Sequence, residues 1–234
     1  MQSFCSGGHI YKAVFFDAFD TIVSVPWSKH PAKRGLPAPH SVSTLVRRID
    51  GRLQAAYGRA RSNELAEGDW LAHAFASLVD LTGLAHSGPL NLLRRRESAV
   101  RRWFAVYADA LSTLQTLHRI CRLGIISNAW PYLEPLINLL GIAHYFESVT
   151  ISSQVGLSKP NLGIYQLAVR TFHIDAHEAV FVDDVADNVA AAERAGLRAL
   201  WLVRAPSGRH VPARHHDLAQ IQSLEQVIPL LRDA

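Results

Sequence analysis

The sequence is short of cysteine: Cys5 and Cys121 are the two in 234 residues, and they lie far apart. They support neither a disulfide framework nor a CxxC metal site, so a reducing cytoplasm is the expected setting. Long apolar runs are lacking too. Met1 to Ile10 has no signal-peptide stretch, and no later run approaches the roughly 20 apolar residues of a membrane helix, so neither export nor a membrane partner is expected. Internal repeats and low-complexity tracts are absent. The twelve histidines show no metal-ligand spacing, and His215-His216 sits in a polar, proline-flanked stretch that reads as loop. The arginines lack the interleaved aromatics of a nucleic-acid surface, which argues against nucleic acid as a partner.

What is present suits a globular chain. With 49% hydrophobic residues it can bury one sizeable core and a smaller module. Charge is spread unevenly: residues 25–107 carry 13 Lys+Arg against 6 Asp+Glu, a net +7, and the remainder carries 11 against 14, a net −3. A basic module over an acidic core would steer a small anionic substrate into place. The cluster of Arg94, Arg95, Arg96, Arg101 and Arg102 reads equally well as a solvated helix face.

Along the chain, 12–17 reads as a first strand, and prolines at 26, 31, 37 and 39 with Gly35 then mark a boundary. Apolar residues recur at three and four positions over 41–60, 63–81 and 89–107, which predicts an all-helical module. Beyond it, strand-like runs at 123–127, 148–152, 179–183 and 198–203 alternate with helical stretches near 109–119, 132–140, 162–172 and 186–195. Such alternation predicts an α/β parallel sheet with helices on both faces.

Several of these strands end on polar groups. Val14-Phe15-Phe16 runs into Asp17, Gly124-Ile125-Ile126 into Ser127-Asn128, and Val180-Phe181-Val182 into Asp183-Asp184. Parallel strands look like this when their C-terminal ends line a shared crevice. By itself Asp17 is either a turn cap or a catalytic group, and Ser127-Asn128 either a helix cap or a binding pair. Adjacent carboxylates at 183 and 184 would repel each other without a cation between them.

In order and spacing these segments, with Lys159-Pro160, resemble the haloacid dehalogenase (HAD) superfamily. The branch most similar has a small helical cap after the first motif and Asp-Asp in the fourth. Further matches fall between 152 and 200: Gln154-Val155-Gly156, Ile164-Tyr165, Asn188-Val189, Ala191-Ala192 and Ala195-Gly196. The resemblance implies a Rossmann-like core from 9–24 and 108–234, with a helical cap from 25–107. It implies a Mg²⁺-dependent phosphatase acting on a small anionic phosphate ester. Asp17 would be the nucleophile and Lys159 the neutralising cation. Thr21, Ser127 and Asn128 would bind substrate. Asp17, the backbone carbonyl of Phe19, Asp183 and Asp184 would hold Mg²⁺. Asp20, Asp187 and Asn188 are candidates for supporting places around that site.

The pattern breaks at Phe19. Most HAD phosphatases have a second Asp there, which protonates the leaving oxygen, and losing such a group puts about 10²–10⁴-fold of rate at risk. Asp20 is one place further on, and a one-residue shift in an extended segment turns the side chain to the other face. The stretch Asp17-Ala18-Phe19-Asp20-Thr21 looks more like the Asp-Ala-Tyr-Gly-Thr of 2-haloacid dehalogenases, whose halide leaves unprotonated. The fourth motif argues the other way. Dehalogenases have Ser-Ser-Asn there and an Asp at the place of Asn188, whereas this chain keeps Asp183-Asp184 and has Val185. The alternatives to a phosphatase are therefore a dehalogenase-like hydrolase and a HAD fold that has lost turnover and serves as a binding or regulatory module.

Overall fold

The computed structural model describes residues 11–24, 104–129, 133–204 and 217–232. By contact the chain divides into two compact units, Met1–Val25 with Phe104–Ala234, and Pro26–Trp103. All the described residues belong to the first. The helices expected over 41–60 and 63–81, nearly all of the one at 89–107, the 26–39 segment, the 94–102 arginines and His215-His216 lie outside the described residues.

Six strands form one parallel sheet in the order β5-β4-β1-β6-β7-β8. They are β1 (Ala13–Phe16), β4 (Arg122–Ser127), β5 (Ser148–Ile151), β6 (Ala179–Asp183), β7 (Arg198–Leu202) and β8 (Gln220–Ile221). The central strand, Ala-Val-Phe-Phe, is buried along its whole length, as a strand covered on both faces must be. Alternation assigns each residue to a face. Val14, Phe16, Leu123, Ile125, Val180 and Val182 look one way, toward α1 (Ala108–Leu117), α2 (Leu133–Leu139) and α6 (Val227–Arg232). Ala13, Phe15, Ile126, Ala179 and Phe181 look the other way, toward α4 (Leu162–Thr171) and α5 (Ala186–Arg194). A short α3 (Ser152–Val155) ends at Gly156, whose φ of +70° makes the left-handed cap that a side chain would resist.

The packing is close enough to dictate residue choice. A Cβ at Gly124 would lie 2.6 Å from the Phe15 ring, which itself meets Phe172 edge-on at 4.7 Å between centroids. Helix α4 starts where the Asn161 side chain accepts from Gly163 N–H at 2.8 Å, and it buries Ile164, Tyr165, Ala168 and Val169 as one stripe.

From β1 the chain builds outward through β4 and β5 on one side, then through β6, β7 and β8 on the other. The reversal falls beside β1, and Phe16 lies opposite Ile125 on one flank and Val182 on the other. That is the switch point at which open α/β sheets form a crevice at their carboxyl ends.

One expectation needs correcting. Residues 105–106, assigned on periodicity to the end of the 89–107 helix, are instead strand β3 (Ala105–Val106), antiparallel to β2 (Val23–Ser24). Val106 pairs with Val23, and Ser24 Oγ donates to the Ala105 carbonyl at 3.0 Å. The pairing partner lies some eighty residues earlier, beyond the reach of any local pattern.

Candidate active site

Asp17 follows β1 directly, and its N–H donates to the Val182 carbonyl at 2.9 Å, so the ladder carries it to the very end of the sheet. Asp183 closes β6, the neighbouring strand, and Ser127 closes β4 on the other side. Three strand ends thus bring together residues separated by 56 to 166 positions, as their apolar-then-polar pattern predicts.

Lys159 completes the cluster. Its Nζ donates to Asp17 Oδ1 and to Asp183 Oδ2, both at 2.6 Å, and the side chain is almost fully buried. Ser127 Oγ donates to Asp17 Oδ1 at 3.1 Å. Asp183 is tied on every side: Val185 N–H donates to its Oδ1 at 2.7 Å and Asn188 Nδ2 to its Oδ2 at 3.0 Å. Asn188 is held in turn by Tyr165, whose hydroxyl donates to the Asn188 carbonyl at 2.8 Å and whose ring packs edge-on against Phe181. The loop bearing Lys159, with a cis Lys159–Pro160 peptide, is fastened by Asn128. Asn128 Nδ2 donates to the Lys159 carbonyl at 2.9 Å, while Lys159 N–H donates to Asn128 Oδ1 at 2.8 Å.

Carboxylates gather here: Asp17, Asp183 and Asp184 each offer an oxygen within 4.8 Å of the others, and Lys159 pairs with the first two. Burial raises the Asp17 carboxyl; Lys159 pulls it down, the charges of Asp183 and Asp184 push it up, and the result is about 7. Burial lowers Lys159, but the carboxylates beside it prevail and hold it above its ordinary range. Three hard oxygen donors this close together fit a small divalent cation.

The remaining expected residues occupy different surroundings. Thr21 is wholly buried, and its hydroxyl has no hydrogen-bond partner among the described residues. Asn128 is exposed, but it spends its amide on the Lys159 backbone, a task no local signal announced. The Phe19 ring lies 6.2 Å from that of Phe104, tilted against it, and packs on the core. Asp20 adopts φ +58°, a left-handed conformation tolerated by Asp. Its charge acts on Tyr107, whose phenol is raised by burial first and by Asp20 next. Asp187 lies exposed in the first turn of α5, where a carboxylate complements the helix dipole.

The profile of the haloacid dehalogenase-like hydrolase family matches residues 11–196. This chain belongs to that family. Over 236 residues the hydrolase is 27% identical to the haloacid dehalogenase-like hydrolase domain-containing protein 3 of Xenopus laevis, an alignment covering 94% of this chain and 95% of the other. Over 108 residues it is 34% identical to phosphoserine phosphatase of Thermus thermophilus, 44% of this chain and 43% of that one. Among solved structures, L-2-haloacid dehalogenase of Xanthobacter autotrophicus shares the fold of the hydrolase, with a TM-score of 0.63 at 19% identity over 95% of this chain and 99% of that chain. The relatives thus include both phosphatases and dehalogenases. Among the described residues, no helix is long and apolar enough to cross a membrane.

Proposed function

We propose that this hydrolase is a Mg²⁺-dependent phosphatase for a small anionic phosphate ester, working through an aspartyl-phosphate at Asp17. The observation carrying the reading is that Asp17, Asp183 and Asp184 bring carboxylate oxygens within 4.8 Å of one another beside Lys159, a hard-oxygen donor set for a divalent cation that a dehalogenase, needing no metal, gives no reason to retain. When bound by these carboxylates and the Phe19 carbonyl, Mg²⁺ supplies Lewis-acid stabilisation of charge on the phosphoryl oxygens.

The chain's own groups do the rest. An Asp17 carboxylate oxygen forms the new bond to phosphorus as the ester oxygen leaves with its electron pair, and water then hydrolyses the acyl phosphate. Lys159, fixed by Asp183 and the Asn128 clamp, offsets the charge of nucleophile and phosphoryl group without reorganising. Ser127, now donating to Asp17, is placed to turn its hydroxyl to a phosphoryl oxygen. Phe19 has no proton to give, so the leaving oxygen departs as an anion. Aryl phosphates should accordingly outpace alkyl phosphates, and equal rates on both would sink this mechanism.

The test is hydrolysis of p-nitrophenyl phosphate with and without Mg²⁺, wild type beside Asp17→Asn. Metal-dependent release that the variant loses by roughly 10⁴-fold or more is the expected result. No release from folded wild type, with chloride freed from 2-chloropropionate instead, would replace the phosphatase reading by the dehalogenase one. Neither release would favour the binding module.

A further inference from the structure

Past the carboxyl end of β7, one guanidinium gathers segments that the sequence holds far apart. Arg204, two residues past β7, donates from Nη1 to Asp109 Oδ2 and from Nη2 to the Thr21 carbonyl, each at 2.8 Å. Its planar head also lies 3.9 Å above the Tyr107 ring. Asp109 Oδ2 accepts in addition from Leu224 N–H at 2.9 Å and Ser223 Oγ at 3.3 Å, which anchors the whole group to the C-terminal part of the core. Tyr107 N–H donates to the Ile22 carbonyl at 3.0 Å.

The segments joined here are the ones that leave and re-enter this unit, because the chain departs after Val25 and returns at Phe104. The departing segment begins at Asp17. Between Asp17 and β2 its described main-chain bonds are Asp20 N–H to Val23, Ile22 and Val23 N–H to Ala18, and Tyr107 N–H to Ile22. The Arg204 bond to the Thr21 carbonyl, four residues past the nucleophile candidate, adds a side-chain tie from just past the end of β7, at the same edge of the sheet as Asp17.

We infer that Arg204 is a positioning residue for the reaction: by holding the Thr21 carbonyl, Asp109 and the Tyr107 face at once, it sets where the 17–21 turn stands relative to Lys159 and Asp183. A planar fork donates in two directions and stacks with its face, whereas an ammonium, which can meet two acceptors as Lys159 does, has no plane to lay over Tyr107. Arg204 Nε is buried with no partner among the described residues, which agrees with a head placed by these three contacts and not by its stem.

The kinetic part of the inference rests on the hydrolase reading; the structural part does not. Arg204→Lys and Arg204→Gln are compared with wild type by steady-state kinetics on p-nitrophenyl phosphate and by amide hydrogen exchange. A displaced nucleophile predicts kcat lower by about 10²-fold for Gln and by less for Lys, with KM little changed. Exchange should quicken in peptides covering 17–24 and 104–110 and stay as in wild type over β4, β6 and β7. Methylguanidinium should restore part of the lost kcat in Arg204→Gln. Unchanged exchange at 17–24, a uniform rise across the sheet, or a loss of turnover that tracks the unfolded fraction would each overturn the inference. If wild type hydrolyses nothing, the phosphatase reading fails, and the exchange pattern decides the place of Arg204.

Discussion

Lys159 and Arg204 both meet carboxylates far away in sequence, yet the two surroundings differ in burial and in how their carboxylates are satisfied. Among the described residues Arg204 pairs with Asp109, which is further satisfied by a backbone N–H and a serine hydroxyl. Lys159 faces Asp17 and Asp183, with Asp184 beside them. The first grouping is partly open to solvent, with its one described carboxylate held by several donors. In the second, burial first and the neighbouring carboxylates next raise the Asp17 carboxyl to about 7 against the pull of Lys159. Buried carboxylates gathered at one strand edge are where perturbed titration and function tend to coincide.

The comparison breaks most visibly at Lys159. Replacing it by Ala leaves buried carboxylates uncompensated, which should cost about 3–5 kcal/mol in urea unfolding. A loss under about 1 kcal/mol would mean that water or ions already neutralise the cluster.

A second prediction sharpens it through pH. In the folded chain Asp17 titrates near 7, against 3.8 in the unfolded one. The folded state therefore holds more protons between these values, and stability declines as pH rises through that window. Asp17→Asn removes this slope, so in divalent-free buffer its Tm should gain on wild type from pH 5 to pH 8. Parallel Tm curves would contradict the raised carboxyl.

Asp109 should behave oppositely. Burial raises its carboxyl, but the Arg204 bond and the Leu224 N–H outweigh that and leave it below its ordinary 3.8. Its stabilisation is complete above that value and is lost as pH falls through the lowered one. Asp109→Asn should depress Tm at pH 7 and make the acid limb shallower below pH 4; an unaltered limb would sever Asp109 from the Arg204 grouping.

The smallest effect belongs to a third ion pair. Arg122 and Glu147 pair bidentately at the opposite end of β4, but both side chains are well exposed. Glu147→Gln should change stability by less than about 1 kcal/mol, and more in low salt than in high.

How much of this was legible depends on the range over which each feature is encoded. The strands β1, β4, β5, β6 and β7 were readable because apolar runs of four to six residues carry their own signature, and the carboxylates that end β1 and β6 mark the crevice. The pair β2 and β3 was not, since two-residue strands show no periodicity and their pairing skips the intervening unit. Lys159 was found by resemblance, with the proline that follows it and Tyr165 arguing against a merely solvated lysine. Arg204 gave no signal, because its partners lie 95 and 183 residues away. Asn128 was singled out together with Ser127, but a side-chain amide reads alike whether it faces a substrate or a backbone.

That amide has a consequence for tolerance to change. Asn128 offers one donor and one acceptor to a single residue, as a neighbouring β-strand would, so at this position the side chain impersonates main chain. Aspartate would set an oxygen against the Lys159 carbonyl, glutamine would overshoot by a methylene, and serine would satisfy half of the pair. In a saturation scan, position 128 should therefore admit one letter of the alphabet almost alone, although it is exposed to water and touches none of the reacting carboxylates by a hydrogen bond.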